Sequence, residues 1–404
     1  MGARAGGGQR SRAGGLAKGA AGAGGGARVV VAQVPAPGHD RAGHPECSGR
    51  GLACARALEA PDLAAARTMG ELGELPPGIL RPAAGVAVAR VHSAAYADAL
   101  RAVDLGSEGQ AVVEGPSQTY LRPSTVDDCL LAAGAAVQLV DVVLSRGEKG
   151  GGGADAGRPP PLAFGLVRPP GHHATPASSA TGVRKGSRAR AMGFCVINSV
   201  AVAARHAQDT HGLERVAVID LDVHHGNGTE DTFYEDGGVL FCSVHQDRAY
   251  PGTGRARDAG AGLGEGRNVN IPLPAGAGDA AARRAFEEVV APAVERFEPE
   301  LLLVSAGFDA HWSDPLASLQ YQSSTFHALG AGVADLARRA CGGRAVFLLE
   351  GGYHLGALED SVAETLRALL GLPSRPLMDS AAVHEEPAAR VRRALAEARA
   401  VHGL

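Results

Sequence analysis

A single-domain α/β fold, with a mostly parallel sheet flanked by helices, is predicted by three features of the 404-residue chain. Short apolar runs recur, each run ends at once in a polar or glycine-rich turn, and helical segments lie between them. The runs are Leu162–Val167, Val216–Ile219, Val239–Val244, Leu301–Val304 and Ala345–Leu349. They do not alternate apolar with polar, which suits strands buried on both faces. Residues 198–209, 280–297 and 323–341 read as helices, and strands alternating with helices imply βαβ units. In such a sheet, functional groups gather beyond the carboxyl ends of the strands. The unusual His, Asp and Tyr residues of this chain stand there.

Composition removes several classes of function. With 39 Lys+Arg against 43 Asp+Glu, the chain lacks the basic excess of a dedicated nucleic-acid binder. Hydrophobic residues make up 45%, so the bulk is not disordered. No stretch reaches the roughly 18 consecutive apolar residues of a membrane-spanning helix, and no membrane partner is expected. Cys47, Cys54, Cys129, Cys195, Cys242 and Cys341 form no C-x-x-C pair, and no secretory signal is seen. A disulfide framework or a cysteine-based zinc site is therefore not expected.

Residues 1–35 carry Arg4, Arg10, Arg12, Lys18 and Arg28, with Asp40 the first acidic residue. This segment reads either as an organellar transit peptide, plastid or mitochondrial, or as a Gly/Ala/Arg tail on a cytoplasmic or nuclear protein. Either way it is set outside the fold. Residues 36–372 then form the folded domain. Within it, 147–161 reads as a flexible loop. The stretch 175–191, with Arg184, Lys185, Arg188 and Arg190, is either a basic surface insertion or a low-complexity expansion. Residues 373–404 form a tail ending in a helix, with Glu386 and Arg390 spaced for an i,i+4 pair. The glycine-rich stretch 260–266 lacks the strand before and helix after it that a nucleotide loop needs.

Asp220-x-Asp222-x-His224 is the strongest local feature. Residues i, i+2 and i+4 of extended chain point the same way. The three side chains can converge on a divalent metal that keeps open positions, or they can cap the next helix. Asp309, in a Gly-Phe-Asp-Ala turn, is either a further carboxylate ligand or a helix N-cap. His172-His173 follows a Pro-Pro-Gly turn, and is either a proton-transfer pair beside the metal or two loop histidines. Tyr353 follows two glycines, and its phenol either reaches a developing oxyanion or packs in the core.

Together these residues resemble the histone deacetylase family, within the arginase/deacetylase fold. The motifs are RPPGHH at 168–173, GFCVIN at 193–198, DLDVHHGNG at 220–228, YPGTG at 250–254, SAGFD at 305–309 and EGGY at 350–353. GHPECSGR at 43–50 is similar to the family's early H-P-E…R segment. The likeness spans residues 36–372 and leans toward the class II-like and organellar plant and algal branch. It implies Zn²⁺ held by Asp222, His224 and Asp309. It implies His172 and His173 as the catalytic pair, Asp220 behind His172, Asn227 behind His173, and Tyr353 as the carbonyl-polarising phenol. Asn227 takes a place where class I members carry Asp, which implies a less basic His173. Gly193, Phe194 and Tyr250 match the walls of the acyl-lysine tunnel. A structural K⁺ site is implied at Asp220, Asp222, His224, Ser243 and Val244, and a second near Phe233, Asp236 and Val239.

The implied activity is removal of acetyl groups from lysine side chains of proteins. The alternative substrate is an acetylpolyamine or another small acetylated amine. Polyamine-selective relatives can carry an acidic residue where this chain has Leu316, which favours acetyl-lysine. The basic stretch 184–190, if ordered near the entrance, would disfavour polycations. Two rival readings are a non-catalytic acyl-lysine-binding scaffold and a binuclear manganese hydrolase. The intact ligand set with Tyr353 argues against the first. The second needs further carboxylate and histidine ligands near the first set, and Val223 and His225 sit in the gaps there.

Overall fold

The computed structural model describes residues 28–114, 119–145, 159–176, 182–381 and 383–404. Among these described residues there are ten strands: β1 Val29–Val34, β2 Leu72–Glu74, β3 Ala111–Val112, β4 Tyr120–Leu121, β5 Leu162–Val167, β6 Val216–Asp220, β7 Val239–Gln246, β8 Asn268–Leu273, β9 Leu301–Ala306 and β10 Ala345–Leu349. Eight of them make one sheet in the order β2-β1-β5-β10-β9-β6-β7-β8, every pair parallel. β3 and β4 form a small antiparallel pair. The predicted α/β parallel architecture is what the chain adopts.

Strand chemistry explains the layers. In β9, Leu302 and Val304 join the core on one face, and Leu301 and Leu303 join the core on the other. In β10, Phe347 and Leu349 face one way, Val346 and Leu348 the other. This is the two-residue period of a strand buried on both sides. The helix Thr125–Ser145 is apolar enough by length and composition to cross a membrane, yet it buries thirteen residues inside the protein. It packs on β1, β5 and β10 beside the helix Ser199–His211.

Three boundaries differ from the sequence reading. Residues 29–34, set outside the fold with 1–35, form β1 in the sheet interior, paired with β2 and β5. The Ala/Gly-rich sequence before residue 28 hides this VVVAQV run. Residues 182–191 are packed rather than a low-complexity expansion, with Val183 and Ser187 buried and a bridge joining Thr175 to Arg190. Finally, the helix Ala388–His402 buries Val391, Leu395 and Ala398 in the main core, so the tail is part of the domain. Glu386 does not pair with Arg390 as its main contact. Its carboxylate accepts from Ala280 N at 2.8 Å and Ala281 N at 3.0 Å, capping the helix Asp279–Ala285. Most of the 147–161 loop lies outside the described residues.

The neighbours β5, β10, β9 and β6 stand at the middle of the sheet. Their carboxyl ends lead into the four segments that carry RPPGHH, EGGY, SAGFD and DLDVHHGNG. One crevice therefore receives all four motifs.

Candidate active site

Asp220 ends β6 fully buried, and its Oδ2 lies 3.0 Å from His172 Nδ1. His173 Nδ1 lies 2.8 Å from Asn227 Oδ1. The two histidine rings are 4.1 Å apart between centroids. One ring thus faces a carboxylate and its neighbour an amide, and their basicities separate. Burial alone would lower His172, but the charges of Asp220, Asp222 and Glu350 overcome it and raise its pKa well above the ordinary value. Burial, together with the charges of His172 and His224, pushes His173 well below it. A charged His172 and a neutral His173 follow.

Asp222, His224 and Asp309 meet as a second group, all buried. His224 Nδ1 lies 3.0 Å from Asp309 Oδ2 and 3.3 Å from Asp222 Oδ1. The three donor atoms all fall within 4.8 Å of one another. Asp309 is not a helix cap here, since its other oxygen accepts from Val223 N at 3.0 Å. Asp222 Oδ2 accepts from Gly351 N at 2.7 Å, linking the ends of β6 and β10. Burial and the Asp222 charge drive Asp309 up to about 7. Asp222 and Asp309 carry His224 to about 10 against its burial. Two crowded carboxylates thus hold a proton on the imidazole between them. Two oxygen donors, one nitrogen donor and a local demand for positive charge fit a divalent cation such as zinc.

Aromatic rings wall the approach. Gly193 and Phe194 both take left-handed backbone, with φ of 57° and 68°. A Cβ on Gly193 would strike the His173 ring and come within 2.9 Å of Tyr250. The turn presents Phe194 edge-on to Tyr353, with centroids 5.5 Å apart. Tyr250 stands perpendicular to His173 at 5.1 Å. Burial pushes the Tyr353 phenol well above its ordinary pKa, so it stays a hydrogen-bond donor. Leu316 lies exposed in the loop after β9. Nearby Asp314 is turned inward, accepting from Tyr353 N at 2.7 Å, Leu316 N at 3.0 Å and His354 N at 3.2 Å.

Several residues beyond the predicted site set also hold this site. Glu350 Oε2 accepts from Gly171 N at 2.6 Å and His172 N at 3.1 Å, fixing the histidine turn. Glu46 takes a bidentate pair from Arg168 at 2.7 and 2.9 Å and a third bond from Arg50 at 3.2 Å. Arg50 also donates to the carbonyls of Glu350 and Gly352, and its guanidinium lies 4.9 Å from the Tyr353 ring centre. Glu114 ties the Tyr250 ring to the Gly193 turn. It accepts from Tyr250 Oη at 2.5 Å, from Gly193 N at 2.7 Å and from Thr119 Oγ1 at 2.7 Å. The early H-P-E…R segment was the available signal for Glu46 and Arg50. Nothing in the sequence around Glu114 marks it.

Arg184 pairs with Glu230 and with Asp231, and its guanidinium lies 3.5 Å over the Tyr234 ring. Its charge is met by two carboxylates, while Lys185, Arg188 and Arg190 of the same stretch are exposed. The residues matched to the first potassium site lie side by side, with Asp220 paired to Ser243 in the β6–β7 register. The Ser243 hydroxyl is 2.9 Å from His245 Nδ1. Phe233, Asp236 and Val239 bracket the turn into β7, where the Phe233 carbonyl accepts from Asp236 N at 3.0 Å.

Comparison with known proteins agrees with this geometry. Residues 44–369 match the family model described as the histone deacetylase domain. The chain is 46% identical over 382 residues to "Histone deacetylase 10, chloroplastic" of Oryza sativa subsp. japonica, covering 94% of this chain and 82% of that protein. It is 45% identical to "Histone deacetylase 14, chloroplastic" of Arabidopsis thaliana, covering 94% and 85%. It is 38% identical over 296 residues to "Polyamine deacetylase HDAC10" of Homo sapiens, covering 71% of this chain and 40% of that one. Among solved structures, the HDA15 HD domain superposes with a TM-score of 0.75 at 29% identity, covering 93% and 94% of the two chains.

Proposed function

The chain belongs to the histone deacetylase family, and from that membership we propose a zinc-dependent amidohydrolase that removes acetyl groups from lysine side chains of proteins. The observation that carries this reading is the buried Asp222–His224–Asp309 group facing the His172–Asp220 and His173–Asn227 pairs. Zinc held by those three side chains would polarise the acetamide carbonyl and acidify a water molecule. Neutral His173 takes the proton from the attacking water and returns it to the departing amine. His172, charged and held by Asp220, remains a cation beside the developing negative charge. The Tyr353 phenol donates to the oxyanion, in an orientation fixed by Asp314 and Arg50. Phe194 and Tyr250 clasp the apolar stem of the acyl-lysine.

The substrate preference rests on the rim. Leu316 is apolar, and the adjacent Asp314 spends its carboxylate on three backbone amides. Neither offers an anchor for a second ammonium group, which favours acetyl-lysine over acetylpolyamine. A plastid location rests on the names of the rice and Arabidopsis relatives and on the acid-free basic segment before Asp40. Fusion of residues 1–40 to a fluorescent protein tests it: a diffuse signal outside plastids counts against it. Structural K⁺ at the β6–β7 end remains part of the reading, and a melting temperature equal in KCl and NaCl speaks against it.

The decisive experiment is acetate release by purified protein, with and without a chelator, on acetyl-lysine peptides, acetylspermidine, acetylputrescine and an acetylated arylalkylamine. Chelator-sensitive turnover of peptides is the expected result. Turnover of acetylpolyamines alone overturns the argument from Leu316. Silence across the panel with metal bound favours an acyl-lysine-binding scaffold.

A further inference from the structure

Well away from the strand-end crevice, the helices Thr125–Ser145 and Ser199–His211 lie side by side and bring three donors together. Asp141 comes from the first helix, His206 and His211 from the C-terminal half of the second. His206 Nε2 and His211 Nε2 each lie 2.7 Å from the same oxygen, Asp141 Oδ1. The two rings meet edge to face with centroids 5.4 Å apart, and the three donor atoms fall within 4.8 Å of one another. All three residues are half-buried. We propose that Asp141, His206 and His211 form a second divalent-metal site, for zinc or a similar first-row transition metal, independent of the catalytic one.

The donor chemistry supports this. Two imidazole nitrogens and one carboxylate are a common ligand set for borderline metals, and half-burial leaves a fourth position for water. The set is richer in nitrogen than the catalytic group, which selects zinc, nickel or cobalt over magnesium or calcium. Tetrahedral zinc with bonds of about 2.0–2.1 Å places its ligands about 3.3 Å apart. The two 2.7 Å contacts to Asp141 need to open by only about 0.6 Å, and His211 is only half-buried. Thr210 Oγ1 stands 3.2 Å from His206 Nδ1. With the proton on Nδ1 donated to that hydroxyl, Nε2 keeps its lone pair for the metal. An ion here would tie the two helices together across one face of the sheet, and would stabilise the folded state by mass action.

The test uses full-length protein, free of any histidine tag and with its catalytic site already loaded with zinc. Calorimetric titration with Zn²⁺ is expected to show one further equivalent, together with a rise in melting temperature. His211→Gln and Asp141→Asn are each expected to weaken that binding at least tenfold and to abolish the rise, with acetate release unchanged. Asp222→Ala, which removes a catalytic-site donor, is expected to keep this equivalent, so failure of the two sites can be told apart. No further equivalent in the wild type, or one bound equally well by folded His211→Gln and Asp141→Asn proteins, overturns the proposal.

Discussion

At His172 and His173 the surroundings set opposite charges on adjacent rings: against burial, the charges of Asp220, Asp222 and Glu350 raise His172, while burial with the charges of His172 and His224 lowers His173. Asp220 offers an ionised oxygen where Asn227 offers an amide, so adjacent residues of the same type differ in basicity. Asn227→Asp should raise the basicity of His173 and move the acidic limb of the kcat/KM–pH profile upward; an unmoved limb removes Asn227 from this role. Tyr353→Phe keeps the ring and deletes the donor. Turnover should fall on the order of 10²–10³-fold while bound zinc per chain stays constant. Glu114 is a positioning residue by the same logic, because it reaches Tyr250 and the Gly193 turn together. Glu114→Ala should raise KM more than it lowers kcat. Combining it with Tyr250→Phe should give less than the sum of the two effects, and strict additivity would separate them. Much of this site was legible because Asp220, Asp222 and His224 share one strand end, where spacing encodes direction. Glu114 was not, because it meets Gly193 and Tyr250, residues 79 and 136 positions away, only through hydrogen bonds.

At the scale of elements, strands announced themselves where both faces are oily. β5 and β10 match their apolar runs from end to end. β8 did not, since its sequence NVNIPL mixes buried amides with aliphatics. Asn268 and Asn270 are tolerated inside because each donates to Glu230, at 2.8 and 2.7 Å. A polar partner supplied by another element has no trace in a local pattern. Helix packing was equally hidden. Gly134, inside the helix Thr125–Ser145, lies against the backbone of Arg81–Ala83, and an added Cβ would meet Ala83 N at 2.7 Å. Gly134→Ala should therefore destabilise by about 1–3 kcal/mol through overpacking, despite alanine's better helix propensity. Chemical denaturation checks this, and a stabilised variant would show that the helix shifts freely.

Across the whole molecule, buried neutral histidines make stability depend on pH. His92 is fully buried, and its Nε2 accepts from Asn198 N at 3.0 Å, a bond that requires an unprotonated nitrogen. Burial lowers its pKa to about 3. The unfolded chain therefore binds the extra proton between pH 6.5 and about 3. The contribution of His92 is intact above pH 6.5 and is lost as pH falls through that window, by on the order of a few kcal/mol in total. His92→Gln retains an acceptor but cannot titrate. Its stability should fall less steeply than wild type between pH 6.5 and 4.5, and parallel curves would contradict the assignment.

The position of β1 sets a limit on maturation. Val29–Val34 fills the place between β2 and β5, and Arg28 already bonds to Glu71 and Leu162 through its backbone. A processing peptidase that cuts before residue 28 leaves the sheet complete. A cut before residue 36 would strip out an interior strand, leave β2 without its partner and bare the edge of β5 to other chains. Protein beginning at residue 28 should accordingly be soluble and active, and protein beginning at residue 36 should aggregate. The fold itself thus decides how much of the N terminus is disposable: the sheet needs the chain from Val29 onward.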